Sequence, residues 1–346
     1  MCPKEELTFG TTFSDHMLQI DWTAEHGWEK PTISAYDNLS ISPASSGLHY
    51  GLQCFEGMKA YRSKADPSKI SLFRPDCNMA RMNDSMARLQ MPSFDGDAFV
   101  DCIKELIRID SNWVPEGDGY SLYLRPTAIA THPWLGVGDA QAIKMFVITC
   151  PVGPYYPTGF NPVRLYADSV NVRAWPGGTG NCKVGGNYAT TIKPAKDAMN
   201  KGYHQVLWMF GEDDSVTECG AMNLFFFWVN KETGRKELVT APLTRGDILP
   251  GVTRRSLLQL ASDWGEFDVS ERFVTMPEIR NAVKEGRLLE AFGAGTAAVV
   301  APVECIHYDG EDLEIEATGP LCLRLWEEIN SIYYGEKKVE GWTVEV

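Results

Sequence analysis

Apolar residues recur at helical spacing between Asp95 and Asp110, where Phe99, Cys102, Ile103, Leu106 and Ile107 fall on one side. That spacing predicts an amphipathic helix. Asp76 to Gln90, rich in Met and Arg, predicts a second helix. Tyr120 to Arg125 alternates in polarity, and Lys144 to Val152 is dense in apolar and β-branched residues; both predict strands. The stretch from Pro151 to Pro162 then places four prolines and two glycines in twelve residues, which marks a break. Beyond it the pattern predicts a strand from Val163 to Ala167, a glycine-rich loop, and a helix over Ala189–Lys201. Strands follow at His204–Phe210 and Met222–Val229. The run Leu224-Phe225-Phe226-Phe227-Trp228 fits a buried strand, given its length and aromatic content. The sum is a mixed α/β (α+β) protein with an N-terminal domain at 1–153, a linker at 154–164 and a C-terminal domain at 165–346.

With 346 residues the chain can form two domains of ordinary size. Its net charge of −14 argues against nucleic acid and anionic membrane surfaces as partners. No apolar run approaches the roughly 20 residues that span a bilayer. The N-terminus, Met1-Cys2-Pro3-Lys4-Glu5-Glu6, reads as neither a signal peptide nor an Arg-rich transit peptide, so the cytoplasm is the expected compartment. The mitochondrial matrix is the alternative should a transit peptide have been trimmed. Nine scattered cysteines without a C-x-x-C pair fit a reducing compartment, and no H-E-x-x-H occurs, so no metal site is expected.

The candidate chemistry gathers in four glycine-marked places. Between Arg173 and Tyr188 a single lysine, Lys183, sits among five glycines. Glycine lets the backbone approach a ligand closely, and lysine is the side chain that forms Schiff bases with carbonyls. A flexible surface loop with a solvated lysine is the other reading. Glu218 stands in Thr217-Glu218-Cys219-Gly220 just before an apolar strand. A buried acid there needs a cationic partner, such as a pyridinium; otherwise it belongs to a surface turn. Leu249-Pro250-Gly251-Val252-Thr253 reads as a turn feeding a helix, whose free amides at Val252 and Thr253 suit a phosphate, or mark a plain helix start. Gly293-Ala294-Gly295-Thr296-Ala297-Ala298 is a further turn after a short strand. It loosely matches the G-x-G-x-x-A dinucleotide pattern, but Pro302 would interrupt the helix that pattern requires. A non-catalytic nucleotide- or cofactor-binding protein using this turn is the reading from another functional class.

Taken together these blocks resemble a branched-chain-amino-acid aminotransferase of the eukaryotic type. That family belongs to the class IV aminotransferases, enzymes of pyridoxal 5′-phosphate (PLP) fold type IV related to D-amino-acid aminotransferase. The class IV signature runs from Glu218 through Asn223, Leu224 and Phe225 to Leu238, Thr240, Leu249, Gly251, Val252 and Arg254. Family blocks extend from Phe13-Ser14-Asp15-His16-Met17 through Tyr50-Gly51-Leu52-Gln53-Cys54-Phe55-Glu56-Gly57 to Leu124-Arg125-Pro126-Thr127, nearly the whole chain.

The resemblance implies transamination between leucine, isoleucine or valine and 2-oxoglutarate, giving branched-chain 2-oxo acids and glutamate. It implies a two-domain homodimer with its active site between the domains. Lys183 matches the lysine that carries PLP and moves the proton, with Lys193 and Lys196 next in line. Glu218 matches the partner of the pyridine nitrogen and Tyr188 the tyrosine on the ring hydroxyl. Arg81 matches the phosphate-binding arginine, helped by Val252, Thr253 and Thr296; Arg88 has equal credentials from composition alone. Tyr50, Phe55, Tyr123, Arg125 and Tyr155 match side chains around the substrate, although core packing is an equal reading for each aromatic. Arg125 suits the second carboxylate of glutamate, and Ala297 matches a backbone contact to the substrate carboxylate. Three departures stand out. Ala221 replaces a frequent threonine and Cys182 a common aromatic. Ala298 and Ala301 occupy the positions of the mammalian redox-active C-x-x-C, so that switch cannot form here.

Overall fold

The computed structural model describes residues 6–154, 161–316 and 319–346. The chain divides into two compact units. The first holds the described residues of Met1–Pro157 with Cys182–Gly186 and Ser331–Val346; the second holds those of Thr158–Asn181 and Asn187–Asn330. Residues 155–160 of the expected linker, Tyr155 among them, lie outside the described residues. The expected domain at 165–346 therefore cedes two segments to the first unit. The reason is packing: Cys182 and Val184 are buried in the first unit's core, and the C-terminal strand pairs with that unit's sheet.

The first unit is built on a nine-stranded sheet. Its strands are β1 (His16–Thr23), β2 (Gly27–Trp28), β3 (Thr32–Ala35), β4 (Gln53–Phe55), β5 (Met58–Arg62), β6 (Ile70–Phe73), β7 (Ser121–Ala130), β8 (Ala142–Val152) and the C-terminal β18 (Thr343–Glu345). The order is β18-β6-β5-β7-β8-β1-β2, with β3 on β1 and β4 on β7. A short helix α1 (Ser46–Tyr50) precedes β4, and α2 (Pro75–Arg88) and α3 (Gly96–Ile109) match the two helices read from the sequence. Asp95 caps α3 by accepting from the Ala98 amide at 3.0 Å. Met79, Met82 and Met86 of α2 join Phe99, Ile103 and Leu106 of α3 in the core over the sheet.

The second unit has its own nine-stranded sheet, from β9 (Val163–Asp168), β10 (Gln205–Phe210), β11 (Ser215–Cys219), β12 (Met222–Val229), β13 (Lys236–Thr240), β14 (Asp268–Glu271), β15 (Leu288–Gly295), β16 (Val299–Tyr308) and β17 (Glu311–Glu314). The order is β11-β10-β9-β16-β15-β12-β13-β14, with β17 on β16. Pairing of β11 with β12 closes β11, β10, β9, β16, β15 and β12 into a ring. As expected, the aromatic strand β12 is interior: Phe225, Phe226 and Trp228 are all nearly inaccessible.

The helix expected over Ala189–Lys201 is two helices instead, α4 (Gly186–Ala189) and α5 (Ile192–Asn200). Pro194 explains the break. Its ring would collide with the Thr190 carbonyl in a continuous helix, but it fits the first turn of a new one. Then come α6 (Val252–Trp264), α7 (Met276–Lys284) and α8 (Pro320–Tyr333).

Candidate active site

In the first unit the lysine loop is docked on β4. The Phe55 amide donates to the Lys183 carbonyl at 3.0 Å, Gly185 donates to Gln53 at 3.2 Å, and Cys54 pairs with Val184. The Lys183 amide in turn donates to Ser85 Oγ of α2 at 2.9 Å. At Gly185 a Cβ would stand 2.7 Å from the end of the Gln53 side chain, which would have to move to admit it. Held from both sides, Lys183 places its Nζ 5.0 Å from the centre of the Phe55 ring. The Arg125 guanidinium lies 4.6 Å from the same ring, and its Nη2 donates to the Tyr123 hydroxyl at 3.0 Å. Burial pulls the Lys183 amine down to about 8, Arg81 and Arg125 add to the effect, and Glu56 and Tyr123 oppose it. A substantial share of the amine is therefore neutral, and nucleophilic, near physiological pH.

Arg81 lies in the same neighbourhood, and its fork is engaged by Glu56. Nε donates to Oε1 and Nη2 to Oε2, both at 2.7 Å. Glu56 belongs to the family block from Tyr50 to Gly57, and the resemblance implies no role for it; its mark in the sequence is an acid just before the strand Met58-Lys59-Ala60-Tyr61. Two other residues were passed over. Phe9 packs its ring edge-on against Tyr123 at 4.9 Å. Lys59, opposite Tyr123 on β5, is buried and drawn down to about 8 by that burial. Lys193 and Lys196 are exposed, and Lys193 pairs with Asp197, so Lys59 replaces them as the second lysine of interest.

The second unit holds a separate group. Glu218 is buried on β11 and accepts from the Leu249 amide at 2.8 Å and from Asn223 Nδ2 at 3.3 Å, both on Oε1. Its cationic partner is Arg173, whose Nη2 lies 3.1 Å from Oε2. Arg173 had been quoted only as the start of the glycine run. Glu218, Arg173, Asn187, Tyr188, Ala221 and Leu249 line a cavity of about 120 Å³. Nearby, α6 starts at Val252 and Thr253 after Gly251, and no side chain caps it. The N-cap position, being glycine, supplies no side-chain acceptor to the first amides, which suits an anion site. A Cβ on Gly251 would fall 2.1 Å from Asn223 Oδ1, so a larger residue here would have to displace the Asn223 side chain.

Thr296 and Ala297 lie in the turn between β15 and β16. The turn leads into a strand, so the helix start of a dinucleotide site is missing there. Val299, which leaves the turn, has a φ of 63°, a left-handed conformation costly for a β-branched residue. Tyr50 is exposed, its hydroxyl bonded to the Leu135 carbonyl. It belongs to an exposed apolar patch with Leu48, Trp134, Leu135 and Val137. Among the described residues, Cys305, Asp312 and Glu314 gather possible metal-ligand atoms, but Arg164 already pairs with both carboxylates.

A buried lysine whose amine is drawn down is suited to chemistry with carbonyls. The chain belongs to the class IV aminotransferases: the family model "Amino-transferase class IV" matches residues 53–306. Its fold is PLP fold type IV. Among curated proteins it is 54% identical to a branched-chain-amino-acid aminotransferase of Dictyostelium discoideum, across 99% of this chain and 90% of that one. It is 49% identical to the cytosolic enzyme of that name from Saccharomyces cerevisiae, across 99% and 92%. A solved T.th. branched-chain amino acid aminotransferase with pyridoxamine 5′-phosphate superposes with a TM-score of 0.74 at 28% identity, covering 94% of this chain and 97% of that one.

Proposed function

We infer that this chain is a PLP-dependent branched-chain amino acid aminotransferase, moving an amino group between leucine, isoleucine or valine and 2-oxoglutarate. The observation that carries the reading is the Lys183 amine, drawn down to about 8, in a chain about half identical over its length to enzymes of that name. The donors fit the cofactor: an amine for its aldehyde, an acid for its ring nitrogen and an uncapped helix start for its phosphate. PLP supplies the electron sink that lets a Cα–H bond break.

The residues then divide the work. With the cofactor bound, Lys183 would hold it through its amine and would carry the proton to and from the substrate Cα. Glu218 pairs with the ring nitrogen and keeps it protonated, while Tyr188 donates to the ring hydroxyl. Arg81, with the Val252, Thr253 and Thr296 region, holds the phosphate. The Ala297 backbone takes the substrate carboxylate. Phe55, Tyr123, Tyr50 and Tyr155 surround the side chain, and Arg125 receives the second carboxylate of glutamate. A second copy of the chain covers the patch of Leu48, Tyr50, Trp134, Leu135 and Val137, giving a homodimer; its exposure supports that surface. The compartment we assign is the cytoplasm. Yeast relatives are cytosolic and mitochondrial, and among the described residues no helix is long and apolar enough to cross a membrane.

The test is glutamate production from 2-oxoglutarate across a panel of amino acids. Leucine, isoleucine and valine should give the highest kcat/KM. Aspartate or D-alanine outpacing all three would replace the substrate assignment.

A further inference from the structure

Glu56 is a fully buried carboxylate to which the proposed reaction gives no step. It sits where β4 ends, with its own amide donating to the Pro126 carbonyl at 2.8 Å. Its two oxygens face both donors of one edge of the Arg81 fork. Oε2 also accepts from Asn78 Nδ2 at 2.8 Å and from the Gly57 amide at 3.2 Å. Asn78, Arg81 and Ser85 lie on one face of α2 at spacings of three and four, so a single helix face grips this carboxylate and also holds the Lys183 backbone. A buried ion pair adds little net stability over an apolar replacement of equal volume, so stability alone does not call for the charge.

We propose that Glu56 is a positioning residue of the lysine centre. It fixes the orientation in which Arg81 meets the cofactor phosphate, and it offsets guanidinium charge at the Lys183 amine. The orienting half rests on the assignment of Arg81 to the phosphate; the charge half stands without it. An arginine held bidentately through Nε and Nη2 has little freedom left to rotate. Glu56 follows Phe55, whose amide donates to the Lys183 carbonyl at 3.0 Å, and it holds the Arg81 fork; of the charges that act on the amine, Arg81 of α2 and Arg125 of β7 disfavour its proton, while Glu56 and Tyr123 favour it. Two cations thus stand against it, and Glu56 is the carboxylate among the named groups. Without that carboxylate the amine would lose protons at lower pH, and the guanidinium would lose its anchor.

Two measurements on the full-length apoenzyme test this. The pH dependence of Lys183 acetylation by acetic anhydride, read by peptide mass spectrometry, gives the amine's pKa. The ratio of affinities for PLP and for pyridoxal isolates what the phosphate contributes. Glu56→Gln should lower the Lys183 pKa by about one unit and shrink the preference for PLP over pyridoxal roughly tenfold. Glu56→Asp keeps the charge but shortens the reach, so it should restore the pKa and not the preference. A Glu56→Gln protein with both quantities at wild-type values overturns the proposal. Should that variant prove insoluble, an unchanged preference in Glu56→Asp overturns the orienting role. Arg81→Met separates the two ideas: if it leaves the preference intact, the phosphate assignment of Arg81 fails, while the pKa of Lys183 in Glu56→Gln still decides the role of Glu56.

Discussion

Glu56 in the first unit and Glu218 in the second are both buried, and each faces an arginine of its own unit. At Glu56 the fork meets both oxygens at 2.7 Å and an asparagine amide adds a third donor. At Glu218 the arginine approaches one oxygen at 3.1 Å, and the same Nη2 also donates to the Asp247 carbonyl at 2.9 Å. The other oxygen of Glu218 is anchored by the Leu249 backbone. The first pair is a closed clamp, in which removal of either partner strands a buried charge. In the second, backbone holds one oxygen while the other meets a cation whose donor is shared. A pyridinium can take over that cation contact without disturbing the Leu249 anchor. A clamp suits orientation, and a shared contact suits exchange with a ligand.

The comparison is broken most severely at the lysine beside the clamp. Lys183→Ala should abolish the cofactor's protein-bound absorbance and multiple-turnover transamination. Retention of both would shift the covalent role to Lys59, the other lysine drawn down to about 8. On the side of the exchangeable pair, Glu218→Gln should slow proton transfer roughly 10²–10⁴-fold while the cofactor stays bound. Single-turnover kinetics read this directly. A change below about threefold would make Glu218 a structural acid, as closed in its role as a clamp.

The two centres were unequally legible in the sequence. Lys183 and Glu218 stood out because glycines and an apolar strand isolate them. The helices α2 and α3 were legible because one face of each packs on a sheet and leaves a period. Glu56 and Arg173 were not assigned roles, because an ion pair joins residues 25 and 45 positions apart in the chain with no local pattern to mark it. The unit to which Cys182–Gly186 belongs was not legible for a similar reason. The segment's allegiance is set by two backbone hydrogen bonds to β4 and by buried Cys182 and Val184, long-range facts that composition does not carry. Tyr50 was legible as an aromatic in a family block, but its place in an exposed patch depends on where Trp134 and Leu135 fold back.

A third test sharpens the picture of the first unit as a place that holds its amines at a cost. The pKa of Lys59 is lowered from 10.5 to about 8 by burial. The unfolded chain therefore binds more protons than the folded one between about pH 8 and 10.5, so stability should rise with pH across that window. Below pH 8 both states are protonated and the full burial penalty is present. The span corresponds to roughly 3 kcal/mol as an upper bound. Urea melts of the apoenzyme at several pH values, wild type against Lys59→Met, isolate it. The difference between the two proteins should shrink as pH rises. A difference independent of pH would mean that Lys59 binds the same number of protons in the folded and unfolded states across the range, so that its pKa is not lowered by folding.

The smallest effect is expected at the thiol next to Lys183. Cys182 is buried, and burial is the first of the influences that raise its pKa; Asp84 raises it further and Arg88 opposes. Its neighbour Cys54 is pushed up to about 12, again chiefly by burial, with Glu56 and Cys182 adding to it. Thiolate is the reactive form, so both should resist oxidation despite flanking the reactive amine. Ala298 and Ala301 offer no thiols at the turn after β15. Mild peroxide should therefore change the activity of wild type and of Cys182→Ser by less than about twofold. Loss in wild type alone would show that Cys182 reaches the thiolate state in solution. Loss in both proteins, reversed by dithiothreitol, would place a disulfide switch on a different pair.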